Sequence, residues 1–139
     1  MRPTIPFINR RWFGFALTAA IVALTLTTGY IHFTLGGVLF TLNALGYVGL
    51  AMAMVVAAIP FPYVERFSWL PRVGLAAFTA VTIGAYLVIG PYFGLGWIAK
   101  AVEVGILVLL AIDVIRVYGS PAGLARAAMT TFRGRMATA

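Results

Sequence analysis

Cysteine is absent from the 139 residues. That excludes a disulfide framework, c-type haem attachment, a cysteine-ligated iron–sulfur cluster and a thiolate zinc site. Charge is almost as scarce. Ten basic and three acidic residues make up 9% of the chain, where a soluble domain carries about 25%. So few charges cannot coat a water-facing surface. A soluble enzyme domain, a disordered chain and a nucleic-acid binder are therefore excluded, despite a formal net charge of +7. One histidine and three acids leave few ligand sets, so no conventional metal site is expected. Nor is there a Gly-x-Gly-x-x-Gly turn, a phosphate-binding loop, a His-Glu-x-x-His helix or a serine elbow. Nothing in the motifs points to an enzyme. What the chain has in excess is apolar side chains, 63% of it, the composition of an integral membrane protein.

The prolines divide it. A proline inside a helix removes a hydrogen bond and clashes with the preceding turn. Between Pro6 and Pro60 lie 53 residues, room for two spans; Pro71 to Pro91 encloses 19 and Pro91 to Pro121 encloses 29, room for one each. A span needs about 20 residues. This predicts an all-α, polytopic membrane protein, a bundle of four transmembrane helices over about residues 12–34, 37–59, 73–90 and 96–117. Residues 1–118 form that domain and residues 119–139 a basic tail. None of the four helices is expected to contain a proline. Leu35-Gly36-Gly37 and Gly90 to Leu95 supply the two short turns. The connector from Pro60 to Arg72, rich in aromatics (Phe61, Tyr63, Phe67, Trp69), suits the headgroup layer.

All nine arginines fall on one side of this arrangement, and the two short turns carry no charge. Basic residues are retained on the cytoplasmic face. Both termini are thus expected in the cytoplasm and the protein in the inner (plasma) membrane. The first apolar stretch is longer than the core of a cleaved signal peptide, which predicts an anchor. In the tail, Ser120-Pro121 reads as an N-cap followed by proline at the first helical position. Leu124, Ala128, Phe132 and Met136 then recur every four residues. A short amphipathic helix on the cytoplasmic leaflet is one expectation, a plain basic tail the other.

Polar groups inside spans need partners. His32, Asn43, Lys100 and Glu103 all map to the outer half of the membrane, as one candidate cluster. Lys100 and Glu103, at i and i+3, share a helix face and can neutralise each other. The pair is expected to face the interior, with Asn43 or His32 within hydrogen-bond reach. Either it knits helices together or it forms a site for a small ligand, a proton or a pigment. His32 is the one residue able to act as an axial ligand to haem or chlorin. Asp113, with Arg116 one turn on, reads as an interfacial ion pair. Gly49, Ala53 and Ala57 on the second helix, and Ala101 and Gly105 on the fourth, have the spacing that lets helix backbones approach closely. An offset of 57 residues equates Gly37 with Gly94, Asn43 with Lys100, Ala44 with Ala101 and Thr25 with Thr82. That is a faint two-plus-two repeat.

Tyr30-Ile31-His32, the stretch from Phe40 to Tyr47, and Gly96-Trp97-Ile98-Ala99-Lys100-Ala101-Val102-Glu103 together resemble a family of small four-helix membrane proteins of bacteria and archaea. The likeness covers about residues 30–116. It departs at the first outer turn, polar in that family and apolar here. The resemblance implies the fold and draws attention to His32, Lys100 and Glu103; it implies no activity. The expected function is an accessory or structural subunit of a larger membrane complex, in contact with lipid and with other transmembrane subunits or further copies of itself. The alternatives are a small oligomeric channel or transporter using the outer cluster, and a subunit holding pigment or haem through His32.

Overall fold

The computed structural model describes residues 11–136. Every regular element among them is a helix: α1 (Arg11–Leu35), α2 (Val38–Ala57), α3 (Pro62–Phe67), α4 (Trp69–Ile89), α5 (Gly94–Tyr118) and α6 (Pro121–Met136). Three segments among the described residues are long and apolar enough to cross a membrane: α1, α2, and α3 continued into α4. α5 matches α1 at 25 residues, which at 1.5 Å per residue is about 37 Å, longer than the roughly 30 Å hydrocarbon layer. It is also the most charged of the long helices, carrying Lys100, Glu103, Asp113 and Arg116.

The four long helices pack as a ring, α1 against α2 and α5, α4 closing it against the same two. The core is Leu17 and Ile21 of α1, Tyr47 and Met54 of α2, Leu75 of α4, and Ile106 and Leu110 of α5. The α1–α2 turn is built on Gly36 and Gly37, both at positive φ (71° and 84°). That backbone is strained for any residue with a Cβ, so two glycines permit the sharpest reversal in the chain. α5 ends on Gly119 in the left-handed conformation, and Ser120 immediately caps α6, its Oγ accepting from the Gly123 N–H at 3.0 Å.

Three expectations are corrected. The third long helix begins at Trp69, not near residue 73, so Pro71 does lie inside a helix. It sits in the first turn, where backbone N–H groups have no intrahelical acceptor and proline costs little. The connector is itself largely helical, because Pro62 at the first position starts α3. Finally, residues 121–136 form a helix and not a plain basic tail, and that helix is docked on the connector. Thr131 docks α6: its Oγ1 donates to Arg66 O (3.2 Å), its carbonyl accepts from Arg66 Nη2 (3.2 Å), and Trp69 Nε1 lies 3.3 Å from its hydroxyl. Phe132 stacks at a tilt on Trp69 yet stays exposed. The docked face contains Leu124, Ala127, Ala128 and Thr131, rotated from the stripe that ran through Phe132.

The small-residue stripes also fall differently within the chain. Gly49 is exposed, Ala53 and Ala57 are half-buried, and a Cβ added at Gly49 would meet nothing. α2 turns Ala44, Tyr47, Ala51 and Met54 inward instead. Large side chains fill the space between helices, so the smooth stripe is left outside. On α5, Ala101 is exposed, while Gly105 does lie against Leu24 of α1.

Arg2 and Arg10 fall outside the described residues. Arg11, Arg66, Arg72, Arg116, Arg126 and Arg133 are all carried at the end where α1 begins and α5 finishes, opposite the two short turns.

Candidate functional site

α5 has one inward face: Gly96, Ala99, Lys100, Glu103, Ile106, Leu110 and Asp113 are all buried. The steps of three and four are those of a helix presenting one stripe. Two charge clusters lie on that stripe, with apolar core between them.

At the short-turn end, Glu103 is completely buried. Its Oε2 accepts from Lys100 Nζ at 2.5 Å, and Thr82 Oγ1 of α4 lies 3.3 Å from the same oxygen. Its Oε1 accepts from Thr28 Oγ1 of α1 at 3.1 Å. The carboxylate thus joins three helices. Lys100, 7% exposed, also reaches Thr82 O at 3.4 Å and lies 5.4 Å from the centre of the Tyr86 ring. A buried charge needs a partner and further hydrogen bonds, and the threonines supply them.

His32 is 4% exposed, packed beside the rings of Phe40 and Tyr47. Its Nδ1 stands 2.8 Å from Thr28 O. A carbonyl only accepts, so Nδ1 carries the proton. Nε2 then lies 3.7 Å from Glu103 Oε1, outside hydrogen-bond range. A ring N–H held by a backbone carbonyl is common in metal-ligating histidines; Nε2, the nitrogen left for a haem or chlorin metal, faces the buried Glu103 carboxylate. His32 therefore belongs to the polar cluster as a neighbour of Glu103. Asn43 does not bond to it. Its Oδ1 is buried and without a hydrogen-bond partner.

Above this cluster lies a cleft of about 400 Å³, between the end of α1, α2, α4 and the start of α5. Its walls are apolar and aromatic, with Phe40, Phe78, Tyr86 and Phe93 prominent; His32, Asn43, Thr82 and Lys100 are its polar points. Asn43 and Lys100, equated by the 57-residue offset, both line it, one from each helical hairpin.

At the arginine end, Asp113 is completely buried between two guanidinium groups. Arg72 Nε donates to its Oδ2 at 2.7 Å, and Arg116 Nη2 to its Oδ1 at 3.0 Å. Arg72 also donates to Ser68 O (2.5 Å) and lies 5.8 Å from the Tyr118 ring centre. The expected Asp113–Arg116 pair is present, but the principal partner is Arg72, which sequence reading left in the connector. No local spacing pairs residues 41 apart. A clue existed in stoichiometry, since one acid beside a basic loop invites a second partner. The hydroxyls of Thr28 and Thr82 were missed as well; threonine in an apolar helix often bonds its own backbone, as Thr25 does to Ile21 O at 2.7 Å. Tyr47, fully buried, places its hydroxyl 2.8 Å from Thr82 Oγ1.

Among the described residues no three His, Asp or Glu side chains converge as a metal site would require. Compared with known proteins, the chain matches no family model, no curated protein and no solved structure.

Proposed function

We propose that this chain is a multi-pass inner-membrane protein with four spans and both termini in the cytoplasm, serving a larger membrane assembly as a non-catalytic accessory subunit. The observation that carries the reading is how the interior is arranged. Each buried acid is paired within the chain, Glu103 with Lys100 and Asp113 with Arg72 and Arg116, and Ile21, Leu75, Ile106 and Leu110 fill the space between the two clusters. Such a core offers an ion or proton no continuous polar path, which favours a structural subunit over a channel. α5 qualifies as the fourth span on this reading because its charges point inward, towards partners, rather than to lipid. The outward Gly49/Ala53/Ala57 stripe then faces a neighbouring subunit, where close backbone approach is useful.

Two results test this. Reporter fusions at Ala139 and within residues 91–94 should report opposite compartments, with Ala139 cytoplasmic. A C-terminus outside the cytoplasm sinks the topology. For association, Gly49→Leu, at an exposed position where an added Cβ meets nothing, should leave the isolated chain no less stable, yet reduce recovery of the native-mass complex several-fold in mild detergent. Val55→Leu, on the exposed face, should alter neither. Equal complex recovery from both variants removes the stripe as an interface.

A further inference from the structure

We propose that the cleft at the short-turn end binds a neutral, carboxamide-bearing apolar molecule, with its polar group held between Lys100 and Asn43. The inference stands apart from the accessory role: the chain can bind such a molecule whatever it assembles with.

Size and access come first. A volume of about 400 Å³ lies within the roughly 300–1,000 Å³ typical of small-molecule pockets. The cleft runs between α2 and α4, and wall residues Leu39 and Val81 are 73% and 69% exposed. Entry is therefore lateral, from the side of the helices that carries apolar residues, and suits a molecule dissolved in lipid. Phe40, Phe78, Tyr86 and Phe93 give it walls suited to a flat ring.

Charge selects the head. Lys100 and Glu103 sum to zero. A second carboxylate entering the cleft would compete for Lys100 and lie close to the buried Glu103. An ammonium would meet Lys100 in a poorly solvated space. Both cost more than a neutral group.

Hydrogen bonding decides what the neutral group contains. The Lys100 ammonium has three N–H bonds, and the chain supplies two acceptors, Glu103 Oε2 and Thr82 O. The third N–H suits a ligand carbonyl. Asn43 contributes a buried acceptor with no protein partner, and its amide N–H groups can donate as well. An orphan acceptor in an apolar wall is costly unless something occupies it. A carboxamide, whose carbonyl accepts from Lys100 and whose N–H donates to Asn43 Oδ1, accounts for both.

The test is equilibrium dialysis of the purified full chain in detergent micelles, with protein-free micelles subtracted. Four probes share one ring system: 2-naphthamide, 2-ethylnaphthalene, 2-naphthoate and 2-naphthylmethylammonium. The amide probe should bind saturably at one site per chain, at least tenfold more tightly than the other three. Ala85→Phe places bulk on the exposed wall of the cleft, away from the ion pair, and should reduce that binding at least tenfold. Ala80→Phe, exposed but off the cleft, should leave it unchanged. Asn43→Leu should cost about tenfold for the amide probe and little for the ethyl one, the loss expected of one buried hydrogen bond. Non-saturable uptake, equal affinity for all four probes, or full binding by Ala85→Phe would each overturn the proposal. A topology or complex-recovery failure would leave these numbers untouched.

Discussion

Lys100→Met should destabilise the protein by about 3–5 kcal/mol, the range for leaving one member of a buried ion pair alone. The variant strands Glu103, which no water reaches. Thr28 and Thr82 still face it at 3.1 and 3.3 Å, so the lower part of that range is expected. Adding Glu103→Leu should return most of the loss. A pair of apolar side chains of similar volume replaces the pair of charges, and no buried ion remains. The remaining deficit is the hydroxyl of Thr28, which loses the Glu103 acceptor, whereas Thr82 keeps Thr79 O at 2.9 Å. Melting followed by tryptophan fluorescence in one detergent gives the cycle, and the coupling is the difference between the double change and the sum of the singles. Independent, additive losses would mean that Lys100 and Glu103 do not interact. A double variant that folds well but no longer favours 2-naphthamide would separate the stabilising role of the pair from its role at the cleft.

Asp113→Leu should be as damaging, by about 3 kcal/mol or more, because it removes the counter-charge of two arginines at once. The burden falls unequally. Arg72 is buried with Asp113, whereas the Arg116 side chain keeps 22% exposure and can extend its head towards the surface. Arg72→Leu should therefore cost less than Asp113→Leu, since Arg116 still neutralises the acid. Arg116→Gln should cost about 1 kcal/mol or less, as partly exposed pairs do. The order Asp113→Leu, Arg72→Leu, Arg116→Gln is the checkable result, read from melting under one set of conditions. An Arg116→Gln loss larger than that of Arg72→Leu would show that the wrong guanidinium has been given the main role. Because Arg72 also grips Ser68 O at the start of α4, its variant should loosen the α3–α4 corner and the docking of α6. Limited proteolysis beyond Tyr118 would report that directly.

These two clusters show where sequence reading reached and where it stopped. The Lys100–Glu103 pair is a local fact. Three residues apart on a helix, two long side chains meet on one face whatever the rest of the fold does. The same holds for Asp113 and Arg116, for Ser120 as the cap of α6, and for the Gly36-Gly37 reversal. Such features depend on bond geometry over four residues or fewer, and those rules are the same in every chain. The apolar composition and the proline spacing likewise determined a helical chain with segments long and apolar enough to cross a membrane, since each is a count along the sequence.

What only the tertiary structure decided are relations between distant segments. Arg72 looked like a loop charge because two prolines bracket its segment; the first turn of a helix tolerates Pro71, so Arg72 instead entered the core and met Asp113. The spacing of Gly49, Ala53 and Ala57 says that backbones can come close there, but α2 has several faces. The larger buried volume of Tyr47 and Met54 determined which face turned inward. Asn43 had the right depth for the polar cluster and the wrong azimuth, so it lines the cleft instead. Helix periodicity fixes which residues share a face. Which face meets which neighbour follows from packing the side chains of all four long helices at once, and no single segment of sequence contains that sum.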